Sequence, residues 1–233
     1  MKSVRRVMIK ITGEGLSSSD GCGFDDKKCL SVAKQIKSAV SKGVQVAICC
    51  GGGNFWRGRS NQDMDRCTSD YIGMLGTTMN ALALGDAFKQ LGQDVRVQTG
   101  VEMRQIAEFY IKDRAIKHLK NKRVVIFGCG TGSPFFSTDT AAALRANEIE
   151  ADVLIKATNV DGIYDKDPKV YKDAKKYDYI TYLDVLNKKI KVMDFTSITL
   201  CMENDIPILV MNINKKNNLK KVIEGKSIGT IVD

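Results

Sequence analysis

Short apolar, β-branched runs alternate along the chain with longer stretches whose apolar positions recur every three or four residues. That is the pattern of strands and helices taken in turn. Residues 7–11 predict a first strand, and Asp25 and Asp26 then open a helical pattern carrying Leu30, Ala33, Ile36 and Val40 that stops at Gly43. Residues 44–50 predict a second, buried strand running straight into Gly51, Gly52, Gly53 and Asn54. Strand, helix and strand in this order form the βαβ unit of a parallel sheet. A long helix is predicted over residues 65–90, where Gly73, Gly76, Ala81, Ala83 and Gly85 interleave with Met and Leu. Such small residues suit deep packing and a subunit contact alike.

Residues 94–98 predict a strand, 102–120 a helix with breaks, 124–127 a strand, 139–147 a helix and 151–157 a strand. A turn-rich segment comes next at 158–168, then two short helices within 181–204 around Met193 and Asp194. A strand at 207–211, a helix at 215–224 and a closing strand at 229–232 complete the pattern. No linker, repeat or low-complexity tract interrupts it. The expectation is one α/β unit over residues 1–233, with an N-terminal lobe to about residue 157 and a C-terminal lobe from 158.

Candidate chemistry gathers first at RVVIFGCGTGSPFFSTD, residues 123–139. A strand breaks into Gly128, Gly130 and Gly132, Pro134 stiffens the segment after them, and Ser137, Thr138 and Asp139 offer N-cap chemistry to an Ala-rich helix. Backbone N–H groups in such a turn, with the positive end of a helix behind them, cradle an anion. A lone glycine loop also makes an ordinary tight turn, so the other loops decide. In an open parallel sheet ligands sit beyond the carboxyl ends of the strands, and four predicted strand ends carry comparable loops: 10–13, 51–54, 128–132 and 158–167. Together they suit a long polyanion. Lys10, Arg57 and Lys156 are the cations at hand; for Lys10 and Lys156 a stem packed along the sheet with its head in water stays open as the alternative. A Walker A motif is absent, which excludes a P-loop enzyme.

Composition narrows the chemistry. His118 is the single histidine and sits in the polar run KHLKNKR, read as a solvated helix end, so a reaction here must run without histidine as base. The seven cysteines form an odd set without CxxC pairs, which argues against a disulfide framework or a zinc site. With 36 Lys and Arg against 27 Asp and Glu the formal charge is +9. No RNA- or DNA-binding motif accompanies it; a solvated basic surface or attraction of small phosphorylated ligands accounts for the excess. No apolar run of 18 residues appears, and Lys10 and Glu14 come too early for a signal peptide, so no membrane partner and the cytoplasm are expected.

The segments KITGEG at Lys10, GGGNFWRG at Gly51, DYIGMLGTTMNALAL at Asp70, GTGSPFFSTDTAAALRANEIEAD at Gly130, KATNVDGIYDKDP at Lys156 and KVMD at Lys191 resemble those of the bacterial-type uridylate kinases. The resemblance runs over nearly the whole chain and implies the amino-acid kinase fold, a three-layer α/β/α sandwich around a mostly parallel central sheet. It implies a nucleoside monophosphate kinase moving the γ-phosphoryl of ATP, with its Mg²⁺, to UMP to give UDP. It places Lys10, Ile11, Thr12, Gly13, Gly53, Arg57, Thr158, Tyr164 and Asp167 at ATP. Gly52, Asp70, Thr131, Gly132, Ser133, Pro134, Phe135, Phe136, Ser137 and Thr138 would meet UMP, with Asp70 on the ribose hydroxyls. Lys10, Arg57, Asp139, Lys156 and Asp194 form the implied catalytic set, and the metal arrives with ATP. Ser18, Ser19, Asp20, Gly21, Cys22 and Gly23 resemble a GTP-responsive loop, although Cys22 departs from the family pattern, as do Thr12 and Ser133. A homohexamer is implied. Rival readings are a kinase of this fold acting on carbamate, glutamate or aspartate, a non-catalytic oxyanion-binding protein, and a basic nucleic-acid-binding module.

Overall fold

The computed structural model describes residues 4–18, 21–57, 63–168, 170–215, 217–226 and 228–233. Among them nine strands form one sheet. They are β1 (Arg6–Ile11), β2 (Gln45–Cys50), β3 (Val95–Thr99), β4 (Glu108–Phe109), β5 (Val124–Gly128), β6 (Val153–Thr158), β7 (Tyr179–Ile180), β8 (Ile208–Asn212) and β9 (Thr230–Val232). The order is β4-β3-β5-β2-β1-β6-β8-β9-β7, and every pairing is parallel except β8 with β9. The helices are α1 (Asp26–Val40), α2 (Arg66–Gln90), α3 (Lys112–Lys120), α4 (Thr138–Glu148), α5 (Tyr182–Asn187), α6 (Phe195–Glu203) and α7 (Asn218–Ile223).

Side chains of a strand alternate between its faces, and here both faces are covered. Val7, Ile9 and Ile11 of β1 pack with α1, α2 and α7. Met8 of the same strand packs with α3, α4, α5 and α6 on the other side. The result is the three-layer α/β/α sandwich around a mostly parallel sheet. Lys10 has the parity of Met8, so it faces the α4 layer. The register then sets Lys10 directly opposite Lys156 on the neighbouring strand.

Helix starts coincide with their capping residues: Asp25, Asp65, Ser137, Thr181 and Asp194 each accept a backbone N–H from the first turn of the helix they begin. Of the three candidates at α4, Ser137 is the cap.

Several expectations need correction. The helix predicted over 102–120 begins only at Lys112, because Glu108 and Phe109 are drawn into an edge pairing with Gln98 and Thr99 of β3. Likewise α7 is confined to Asn218–Ile223, behind a left-handed Asn217 at φ 67°. His118 is buried, not solvated. Its Nδ1 accepts from Arg123 Nη1 at 3.1 Å and its Nε2 lies 3.0 Å from Glu108 Oε2, so the polar run KHLKNKR turns one side inward onto β4. β7 has no counterpart among the predicted elements.

Candidate active site

The strands β5, β2, β1 and β6 are adjacent and parallel, so the loops after them emerge together on one edge. At the centre of that edge lies an ion triad. Asp139, in the first turn of α4, holds Lys10 Nζ 2.8 Å from Oδ1 and accepts a hydrogen bond from Lys156 Nζ at 3.1 Å on Oδ2. The side chains of Lys10, Asp139 and Lys156 are 9%, 16% and 14% exposed. The Lys10 contact lacks hydrogen-bond alignment, which leaves Oδ1 without a directed donor. Burial pushes the Asp139 pKa up, but the two ammonium groups outweigh it and the carboxyl sits below its ordinary value. Lys156 is lowered, first by burial, with Asp139 opposing that shift. Lys156 also donates to the carbonyl of Val192, which ties the α5–α6 loop to the triad.

Three clefts meet around these residues. One, of 470 Å³, runs between Lys10, Thr12, Gly13, the Gly51–Gly53 loop, Arg57 and Ser137–Asp139. A second, of 540 Å³, lies between Ser137, Asp139, Lys156 and the 191–195 loop. The third, of 620 Å³, is walled by Thr158, Tyr164, Asp167, Lys189 and Lys191. The first two share Ser137 and Asp139, while the last two share Lys156, Lys191 and Val192. A groove of this kind fits a polyphosphate laid across the strand ends with a second ligand at its far end.

The glycine loop after β2 is held by backbone and amides. Gly51 N donates to Ile11 O at 2.8 Å, and Asn54 and Asn80 exchange amide hydrogen bonds at 3.0 and 2.7 Å. A Cβ on Gly52 would stand 2.6 Å from Gly73 O and 2.9 Å from Thr77 N of α2, so only glycine lets the loop lie on that helix. Gly53 is exposed at its tip. Arg57 is exposed and pairs with Glu14, and the five residues after it lie outside the described ones.

Residues 131–136 stand beside this groove and outside the first cleft's lining. Thr131 Oγ1 closes a turn on Ser133, accepting its N–H and donating to its carbonyl, both at 3.1 Å. Gly132, at φ 85°, brings a would-be Cβ within 2.5 Å of Gly100 O. Pro134 precedes Phe135, at φ 71°, whose N–H donates to Asp70 Oδ2 at 2.8 Å; Phe135 and Phe136 are exposed. Asp70 is thereby brought from α2 to this loop. Asp194 is committed elsewhere: it caps α6 through Ser197 and accepts from Ser137 and Thr140 at the start of α4.

Thr158 Oγ1 turns onto Val160, and Tyr164 bridges to Lys176. The carbonyl of Asp167 accepts from Tyr171 at 2.9 Å. Ser18 donates to the Cys22 carbonyl at 2.6 Å, and Gly23 is bonded to Asn54, so the loop near Cys22 leans on the glycine loop; Gly21 is a φ 80° turn, and Ser19 and Asp20 lie outside the described residues. Lys191 and Val192 line two of the clefts and are not among the residues expected from the sequence. Their signal is KVMD at Lys191, where the resemblance singles out only Asp194.

The model of the amino acid kinase family matches residues 5–212. The chain belongs to the amino acid kinase family. Among solved members it is similar to UMP kinase from Bacillus anthracis, at 36% identity over 100% of this chain and 97% of that one, with a TM-score of 0.96. UMP kinase from Ureaplasma parvum matches at 38% over 99% of both chains, TM-score 0.92. A uridylate kinase from Archaeoglobus fulgidus is more distant, at 28% over 97% of this chain and 99% of that one, TM-score 0.73. This amino acid kinase chain also contains, among its described residues, no helix long and apolar enough to cross a membrane.

Proposed function

We propose that the chain is a UMP kinase, transferring the γ-phosphoryl group of ATP to UMP to give UDP and ADP in pyrimidine nucleotide synthesis. The observation that carries this reading is the Lys10–Asp139–Lys156 triad at the meeting of the three clefts. The full-length similarity to two UMP kinases supports it, and the three adjoining clefts leave room for a donor and an acceptor. The cleft walled by Thr158, Tyr164 and Asp167 takes the ATP base and ribose, in a lobe that begins near residue 158. The N-terminal lobe takes UMP, with its phosphate near Thr138 and its ribose at Asp70.

The attacking group is a phosphate oxygen of UMP. It is largely dianionic near neutral pH, since its second pKa is about 6, so no protein base is required. A bond forms from that oxygen to the γ-phosphorus while the bond from phosphorus to the β–γ bridging oxygen breaks, and ADP leaves with the electron pair. The protein supplies position and charge. Lys10 and Lys156 face the moving phosphoryl group, Asp139 keeps both ammoniums apart and charged, and the backbone of Gly52 and Gly53 lies against the phosphates with Arg57 nearby. Mg²⁺ would arrive with ATP and supply charge neutralisation at the phosphates. It would need only one or two carboxylates, and Asp139, whose Oδ1 meets only the Lys10 ammonium and accepts no hydrogen bond, would hold it rather than Asp194, whose oxygens are taken by Ser137, Thr140 and Ser197.

The exposed apolar stripe Tyr71, Leu75, Met79 and Leu82 on α2 supports an oligomer, which we take to be the hexamer, in the cytoplasm. The loop at 18–23 is assigned a GTP response, tested by titrating activity against GTP; a flat titration makes it structural only. The reading as a whole is tested by incubating the chain with Mg·ATP and UMP, CMP, dTMP, glutamate or carbamate and following ADP. Turnover on UMP is expected. Absence of ADP with every acceptor sinks the enzyme, and turnover on carbamate or glutamate instead transfers it to another kinase of the fold.

A further inference from the structure

One arrangement outside the phosphoryl-transfer machinery bears directly on the acceptor loop. Arg66, the first residue of α2, places Nε 2.8 Å from Asp70 Oδ2, one helical turn on. Phe135 N donates to that same oxygen at 2.8 Å. The Arg66 guanidinium carbon stands 5.4 Å from the centroid of the Phe135 ring. Three groups thus close on each other: a cation, a carboxylate and an aromatic residue whose backbone is left-handed at φ 71°. A non-glycine residue holds that conformation only when its surroundings fix it.

We propose that Arg66 is a specificity-determining positioning residue: it clasps Asp70 and Phe135 together, and so sets the acceptor slot for a ribonucleotide. The proposal rests on the UMP reading above. Both bonds fall on Oδ2, and Oδ1 has no partner among the described residues. The clasp therefore fixes the carboxylate in one rotamer with a single oxygen left to accept from the sugar. A carboxylate freed from Arg66 would turn about its side-chain torsions, and the Phe135 turn would lose both its anchor and the face its ring stacks on. Sugar recognition would weaken, while the Lys10–Asp139–Lys156 triad, on other elements, would keep its geometry.

The experiment compares the full-length chain with R66A and R66K in steady-state kinetics on UMP and on 2′-deoxy-UMP. An exposed ion pair and a cation–π contact are each worth a few-fold, so R66A is expected to raise KM for UMP by about tenfold. KM for ATP stays put, and kcat at saturating UMP stays within about twofold. The preference for UMP over its 2′-deoxy analogue shrinks, a result that general loosening of the fold would not produce. R66K keeps the charge and loses the planar fork, and shows a smaller rise in KM. A KM for UMP within twofold of the unaltered chain in R66A overturns the proposal, as does a parallel rise in KM for UMP and ATP. Should R66A fail to fold, R66K with an unaltered KM and sugar preference overturns it. Absence of UMP turnover by the unaltered chain sinks both readings, whereas a working enzyme matched by R66A sinks only the clasp.

Discussion

Asp139→Asn removes one charge and almost no volume, and the structure says what it exposes. Two ammonium groups, 9% and 14% exposed, share this carboxylate at 2.8 and 3.1 Å, and the strand register sets their Cα positions opposite each other. At an effective dielectric of about 20, each contact is worth about 5–6 kcal/mol of gross Coulomb attraction, most of it offset by taking the ions out of water. Removing one partner of a buried pair leaves the other uncompensated, at a cost of about 3–5 kcal/mol. Taking about 3 kcal/mol, because the groove admits water, the melting temperature falls by about 6–12 °C for a domain of this size. The pH dependence has a definite sign. Lys156 already sits below its ordinary value through burial, opposed by Asp139, and Asn at 139 lowers it further. The folded variant then binds fewer protons than the unfolded one between that lowered pKa and the unfolded value of about 10.4, so its stability rises with pH across that window. Thermal melts of both proteins at neutral and alkaline pH, with and without Mg·ADP, make the test. The deficit is expected to be largest near neutrality, to narrow on the alkaline side, and to shrink when phosphates supply the missing negative charge. A variant melting within about 2 °C of the unaltered chain at neutral pH would refute the dependence of the two lysines on Asp139.

Four further outcomes are expected. Lys10→Ala lowers kcat by about 10²–10³-fold, the scale of losing one group aimed at developing charge, while the dissociation constant for UMP barely changes; near-normal kcat removes Lys10 from the mechanism. Because Lys156 is lowered by burial, with Asp139 opposing, the alkaline limb of kcat should appear below the ordinary lysine range, and Lys156→Arg, weaker but always charged, should lose that limb in a pH–rate profile. Gly52→Ala drives a methyl to 2.6 Å from Gly73 O and should cost about 1–3 kcal/mol in a urea titration, by the measure of an overpacked core. Leu75→Glu, on the exposed face of α2, should shift light scattering to a smaller species, and an unchanged mass would clear that face of a role in assembly.

The central strands were legible because each is buried on both faces and reads as an unbroken apolar run rich in β-branched residues, as in residues 124–127 or 153–155. Helix starts were legible to within a residue where a capping side chain wrote them at Asp25, Asp65 and Ser137, whereas the cap at Asp194 was not read as a start. The two-residue strands were not. Glu108–Phe109 and Tyr179–Ile180 carry no period of their own and exist only because β3 and β9 offer them an edge. His118 failed for a related reason. A run of lysines around a histidine looks solvated until the Glu108 edge strand folds onto it, and that strand was itself invisible.

The site divides along the same line. Residues whose role is local could be placed from the sequence: a glycine that must turn, a serine that must cap, a loop that must come after a strand. Residues whose role is relational could not. Lys10 and Lys156 are far apart in sequence, and each alone reads equally well as a stem lying along the sheet. Only the register of β1 on β6 makes them neighbours, and only the first turn of α4 brings Asp139 over both. Asp194 shows the reverse. The resemblance groups it with Asp139 in the implied catalytic set, yet its oxygens are taken up by Ser137, Thr140 and Ser197. It holds α6 against the helix that presents Asp139, and so governs where that charge sits. An Asp194→Asn variant keeps an acceptor oxygen for the two bonds that fall on Oδ1, from Thr140 and Ser197, and loses the acceptor for Ser137 at the start of α4. It should therefore act on the triad through α4, lowering kcat with a melting temperature that falls much less than in Asp139→Asn.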